Sequence, residues 1–305
     1  MIKMPGVQIQ KLHTLTGHRD CVYALEESDQ PSVIFSGAGD GMVVRWDMQH
    51  PEEGEKIAQL PNSIYALQYL PDRNILIAGH NYEGIHLLDP NNKKEVASLQ
   101  LGSSAIFDIQ YFENNCFIAS GDGSVYVVGL EKLSVRKRLN HSEKSARTIA
   151  INPGKREMAV GYSDNFVRIF SLDDFSLKQG WESHKNSVFA LAYTPDFKIL
   201  LSGSRDACLK AWNVEEHYSL RQEVKAHLYA INDVVFSPDG KHFVTCSMDK
   251  SVKVWNNDLT LLKVIDKARH AGHGTSVNKL LWSSFNNQLV SASDDRTISI
   301  WDVIF

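Results

Sequence analysis

Histidine, a hydroxyl residue (serine three times, threonine once) and aspartate, the residue types of a hydrolytic triad, occur together four times in this chain at one fixed spacing, and tryptophan travels with them. The sets are His18-Ser36-Asp40-Trp46, His184-Ser202-Asp206-Trp212, His227-Thr245-Asp249-Trp255 and His273-Ser291-Asp295-Trp301, with steps of 18, 4 and 6 residues. A nucleophilic serine needs a strained, exposed turn with oxyanion donors nearby, and no Gly-x-Ser-x-Gly elbow is present. Fourfold repetition suits a structural staple rather than one active site. An indole N–H donates, a hydroxyl accepts and donates, and a carboxylate orients an imidazole. The sets are therefore expected to be buried hydrogen-bonded chains, and the protein is expected not to be an enzyme.

Other chemistry is weaker. Gly37-Ala38-Gly39-Asp40-Gly41 is glycine-rich but has no following Lys-Ser/Thr, so a turn explains it better than a phosphate loop. His270 and His273 lie three apart without a neighbouring Cys or carboxylate, a poor metal set. Cys21, Cys116, Cys208 and Cys246 are far apart and form no CxxC pair, which reads as free thiols in a reducing cytoplasm. No metal and no cofactor is expected.

The elements that carry these residues recur. Aligning the segments that end in Trp-Asp or Trp-Asn with the remaining ones gives Trp46, Leu88, Val128, Phe170, Trp212, Trp255 and Trp301, 40 to 46 residues apart. Each unit reads as short runs of β-branched and aromatic residues separated by turn residues, with no sustained helical period. That period and ending mark a four-stranded propeller blade. Gly17-His18 with Trp46-Asp47, and Gly272-His273 with Trp301-Asp302, extend the likeness. On these residues the chain resembles the WD-repeat family over its whole length. The resemblance implies an all-β, closed seven-bladed propeller of four-stranded antiparallel blades, in which the His-Ser/Thr-Asp-Trp sets tie strands together.

Closure can be read too. Gln8–Leu15 has the character of a blade's outermost strand, yet no blade precedes it, and the chain stops after the third strand of blade seven. The N-terminal strand is expected to complete the last blade. Residues 1–305 then form one domain, with approximate blades at 17–60, 61–99, 100–139, 140–181, 182–225, 226–265, and 270–305 plus 7–15. No linker or tail is expected.

In WD-repeat proteins one contact position lies on each innermost strand, around the channel mouth. The resemblance carries it to Tyr23, Tyr65, Phe107, Arg147, Phe189, Asn232 and Asn278. A second family set precedes the turn Asp and contributes Arg205 and Met248, with Gly39, Gly121, Ser163 and Asp294. Four of the first seven are aromatic, in a chain that is 10% aromatic. Aromatics and Arg are enriched at binding hot spots, although aromatics on inner strands also fill space between blades. Both readings stay open at this point. Blades two to four lack the complete set, having Tyr82 and Leu88, Val128, and Val160 and Phe170 at set positions, which suggests a less rigid arc. The same arc carries Lys132, Arg136, Lys137, Arg138, Lys144, Arg147, Lys155 and Arg156.

These features point to a scaffold that binds a peptide or loop of another protein at the channel mouth. One alternative is an adaptor for nucleic acid or an acidic partner through the basic strip. The other is an enzyme or small-molecule sensor using the channel; the seven mouth positions hold no carboxylate or imidazole, which favours binding. The net charge of −4 disfavours nucleic acid as the main ligand. Met1 to Gly6 has no apolar signal region and no run of about 18 apolar residues exists, so a cytoplasmic monomer without a membrane partner is expected.

Overall fold

The computed structural model describes residues 6–305; the N-terminal residues read above as lacking a signal region fall largely outside them. Strands of five to eight residues form seven four-stranded sheets, every strand pair antiparallel. Blade five illustrates the order from inside to outside: Val188–Tyr193, Ile199–Ser204, Cys208–Asn213 and Ser219–Lys225. Burial falls along the same path. The second strand is almost wholly buried and the fourth almost wholly exposed. One face of each strand must therefore be apolar near the axis, and the polar residues collect at the rim.

The repeat positions read from the sequence occupy one place in every blade. Each lies on the third strand opposite an apolar residue of the second, from Ile34↔Trp46 through Leu76↔Leu88, Cys116↔Val128 and Met158↔Phe170 to Leu289↔Trp301. The core is a ring of layers between neighbouring blades. One such layer joins Ile34, Val44 and Trp46 of blade one to Val290, Ala292, Ile298 and Ile300 of blade seven.

Ring closure follows the expected route. Gln8–Leu15 pairs with Ile298–Ile304, from Gln8↔Ile304 to Leu15↔Ile298, and Leu15 is buried. Blade seven thus consists of the first strand and the last three.

Two local features shape the mouth. The turn between second and third strands places a residue in the left-handed region: Gly41, Gly123, Asn165, Ala207, Lys250 and Arg296 in six blades, with φ from 65° to 86°. At Gly41 a Cβ would stand 2.2 Å from the Leu60 carbonyl oxygen. Gly41 is therefore required by close backbone approach, while Gly37 and Gly39 leave room for the Ile64 and Asp20 side chains. The second feature was not anticipated. All seven innermost strands carry a β-bulge, and the residue skipped by the ladder is Tyr23, Tyr65, Phe107, Arg147, Phe189, Asn232 or Asn278.

Candidate functional site at the channel mouth

The four His-Ser/Thr-Asp-Trp sets come together as continuous buried chains. In blade five Trp212 Nε1 donates to Ser202 Oγ at 2.8 Å, and His184 Nε2 meets the same oxygen at 2.7 Å. His184 Nδ1 lies 3.1 Å from Asp206. Blades one, six and seven repeat this, with Thr245 Oγ1 in the serine position of blade six. The serines have no space for a substrate beside them, since Ser36, Ser202, Thr245 and Ser291 are fully buried. His273 is committed to Ser291 and Asp295, so the His270–His273 spacing carries no metal site.

These chains titrate in one direction. Burial alone would raise the Asp206 carboxyl. Hydrogen bonds from His184 and from the Lys185 and Cys208 backbone N–H groups outweigh it and hold Asp206 well below the usual range. Asp249 and Asp295 are held down likewise by His227 and His273. Burial also keeps His18 and His227 below the ordinary histidine value, against the pull of Asp40 and Asp249. In every case the unfolded chain binds protons more readily, so stability falls as pH falls. The melting temperature is expected to be flat above about pH 7, to decline from about pH 6.5 as histidines charge in the unfolded state, and to drop faster below about pH 4. Thermal melts from pH 8 to pH 3 check this. A constant melting temperature between pH 7 and pH 4 would remove the histidine contribution.

The bulges build the mouth. A bulge re-aims side chains, so the skipped residue and the next one can both face the channel. All seven skipped residues line one cavity of about 430 Å³, joined by Asp108, Thr148, Asp233, Ser276, Lys279, Met248 and Asp294. Asp108, Asp233 and Lys279 each follow a mouth position by one residue. The absence of carboxylates at the seven positions therefore did not describe the cavity, which holds three. Lys279 Nζ pairs with Asp233 at 3.2 Å. Burial would lower this lysine, but Asp233 and Asp108 raise it above the ordinary value. Asp108 accepts from the Ile149 backbone N–H at 2.7 Å, and burial raises its carboxyl pKa. These contacts tie neighbouring inner strands together, blade three to four and blade six to seven.

The aromatics both stack and face the cavity. Tyr23 lies 4.9 Å from Tyr65, and Tyr65 lies 5.8 Å from Phe107, centroid to centroid. The Arg147 guanidinium is 3.7 Å from the Phe107 ring and 4.7 Å from that of Phe189. Five successive blades thus contribute one continuous stack. A partner's cation has no free aromatic sandwich there, because Arg147 already fills it. Burial lowers the Arg147 pKa to about 10, offset only by Tyr65, and the group stays charged at neutral pH. No carboxylate pairs with it among the described residues.

Three expected contact residues behave differently. Asn232 Nδ2 donates to Val277 O at 2.8 Å, and Asn278 Nδ2 donates to Val22 O at 3.0 Å. Both asparagines join neighbouring blades and have few donors left for a partner. Arg205 is exposed and lies outside the cavity lining. Met248 does line the mouth. With Leu228 and Tyr229 it forms an apolar patch on blade six, these residues being 51%, 81% and 64% exposed. The sequence reading missed Leu228 and Tyr229, whose only signal was two apolar residues in the loop after His227.

The basic strip disperses. Arg147 is in the channel. Arg138 pairs with Asp122, Arg156 with Glu113 and Asp173, and Lys155 with Glu215. Lys137 donates to Asp174 O and Arg136 to Asn115. Lys132, Arg136, Lys137, Lys144 and Arg147 have no carboxylate within 4 Å among the described residues. Blades three and four are stapled by other means, blade three through Tyr126–Asp122 and blade four through Arg168–Asp164 and Ser142–Asp164, while blade two places His80 against His86.

Comparison with known proteins agrees with this architecture. The WD40 family, described as "WD domain, G-beta repeat", matches residues 9–47, 175–213, 218–256 and 266–302, which is half of the chain. The chain belongs to the WD-repeat family. The matched segments are those ending in Asp47, Asn213, Asn256 and Asp302, the four that carry complete sets. This WD-repeat chain is 23% identical over 215 residues to a WD repeat-containing protein 91 homolog of Dictyostelium discoideum. It is 27% identical over 209 residues to Protein groucho of Drosophila melanogaster, and 25% identical over 217 residues to transducin-like enhancer protein 2 of Mus musculus. The matches cover 68%, 65% and 68% of this chain but 28% of each relative. The solved WD40 β-propeller domain of Doa1 superposes with a TM-score of 0.85 at 17% identity, over 97% of both chains. Propellers of this family generally act as protein-interaction scaffolds. No helix among the described residues is long and apolar enough to cross a membrane.

Proposed function

We propose that this propeller is a non-catalytic scaffold whose mouth binds a segment of another protein bearing a carboxylate. The observation that carries the reading is Arg147. Its guanidinium is held between the Phe107 and Phe189 rings, at the mouth, without an acid of its own. A guanidinium is a planar fork of donors that matches a carboxylate, and the pairing strengthens where water is scarce. The acids of the cavity are engaged elsewhere: the charges acting on Asp108 are those of Lys279 and Asp233, not Arg147. The apolar patch of Leu228, Tyr229 and Met248 gives such a segment an adjacent surface to cover. The same reading has the chain acting as a monomer in the cytoplasm, in keeping with four free cysteines. The basic strip is a weaker candidate for a nucleic-acid surface, since Arg138, Lys155 and Arg156 meet acids of the same chain and Arg147 lies in the channel.

Affinity capture from source-cell lysate on wild type and on Arg147→Met tests this, once both give equal melting temperatures. Proteins held by wild type and lost by the variant are then measured individually. Arg147→Met should weaken binding at least about 30-fold, as expected of a hot spot of 2 kcal/mol or more. Partner segments with Asp or Glu changed to Asn or Gln should bind as weakly to wild type. Equal capture by both proteins would place the partner elsewhere on the propeller.

A further inference from the structure

We infer that blade two carries a binding site for a divalent transition-metal ion of the zinc class, formed by His80, His86 and Glu83. The site lies on the face of blade two that holds the His-Ser-Asp-Trp chain in blade one. There Ala78, Tyr82 and Leu88 stand where the serine, aspartate and tryptophan would be, so no hydrogen-bonded staple forms.

Two imidazoles occupy the space. His80 Nε2 and His86 Nε2 face each other at 2.6 Å, and the rings are fully and almost fully buried. The outer nitrogen of each is already assigned. His80 Nδ1 lies 2.6 Å from the Asn81 carbonyl oxygen, which can only accept, so this nitrogen carries hydrogen. His86 Nδ1 lies 3.1 Å from Glu95 Oε1, a carboxylate acceptor, so it carries hydrogen as well. Both inner nitrogens then present lone pairs to each other, and a cation between them resolves the conflict.

Glu83 supplies the third ligand. Its Oε2 is 3.7 Å from His80 Nε2 and 3.9 Å from His86 Nε2, and all three ligand atoms lie within 4.8 Å of one another. Two histidines whose other ring nitrogens donate to a carbonyl and a carboxylate, plus one carboxylate, form a three-ligand zinc set with an outer shell. Tyr82, an exposed aromatic, adopts φ 76° in the turn that presents Glu83, as the corresponding turns of the other blades also hold a left-handed residue. A tetrahedral ion with bonds of about 2.0–2.1 Å separates two nitrogens by about 3.3 Å. Loading must therefore spread the rings slightly, and His86, beside exposed Glu95, is the one with room. The sequence reading expected no metal, having weighed only the cysteines and His270 with His273.

The test uses untagged protein stripped with chelator, titrated with Co²⁺ and followed by visible absorption, then with Zn²⁺ in competition. One equivalent of Co²⁺ should bind, show tetrahedral or five-coordinate ligand-field bands, and be displaced by Zn²⁺. Glu83→Gln, on the exposed turn, should weaken uptake at least tenfold, and His86→Gln should abolish it. Zn²⁺ should raise the melting temperature of wild type and leave that of His86→Gln unchanged. Should His86→Gln misfold, Glu83→Gln alone decides. Uptake unchanged in Glu83→Gln, no uptake at millimolar Co²⁺, or a melting temperature that responds to acid but not to metal would overturn the site in favour of an adventitious ion or a shared proton.

Discussion

Removing residues 1–15 is expected to open the ring: the truncated chain should lose about 5 kcal/mol or more of stability and self-associate. The strand Gln8–Leu15 contributes a fully buried Leu15, worth roughly 1.5–3 kcal/mol. It also contributes the ladder to Ile298–Ile304, at roughly 0.5–1.5 kcal/mol per hydrogen bond. Lys11, whose ammonium lies 5.4 Å from the Trp301 ring centroid, lies over the indole. Without this strand Ile298–Ile304 becomes an exposed edge with open N–H and C=O groups, a template for another chain. Thermal melting and sedimentation velocity check the result, and a peptide of residues 6–16 added in trans should restore part of the stability. An unchanged melting temperature with a monomeric profile would mean that closure contributes little.

Trp301→Ala is the second large effect, at about 3–5 kcal/mol, the usual range for a buried aromatic removed from a close-packed core. Trp301 is fully buried and packs among Val254, Leu280 and Trp282 in the layer between blades six and seven. It also donates to Ser291 Oγ at 2.9 Å. Trp301→Phe separates the two contributions, since it keeps much of the volume and removes the N–H, for a loss of about 1–3 kcal/mol. Combining Trp301→Phe with Ser291→Ala should cost less than the two single losses together, because both act on one chain of hydrogen bonds. Chemical denaturation of the four proteins gives the coupling. Strict additivity would show that the indole and hydroxyl act independently.

Much of this was legible in the residues. Trp46, Trp212, Trp255 and Trp301 set the period, and the fixed His-Ser/Thr-Asp-Trp steps announced buried staples, because a four-stranded antiparallel blade brings equal sequence steps to equal places. Gln8–Leu15 announced closure through its character as an outermost strand, and it pairs with Ile298–Ile304 of blade seven. The composition of the mouth was legible at Tyr23, Tyr65, Phe107, Arg147 and Phe189.

Other properties were decided only when the chain folded. Strict alternation along an inner strand sends neighbouring residues to opposite faces, yet a bulge in each inner strand brings Asp108, Asp233 and Lys279 into the cavity beside the mouth positions. Asn232 and Asn278 turned from contacts into ties between blades because acceptors on the next blade lie within reach. The basic strip lost its character because Glu113, Asp173 and Glu215, distant in sequence, approach its arginines and lysines. His80 and His86 form a pair because antiparallel pairing across a hairpin places two rings six residues apart on one face. Periodicity is a local property that a sequence carries openly. Which charges meet, and which polar groups are left facing each other, depends on the three-dimensional ring.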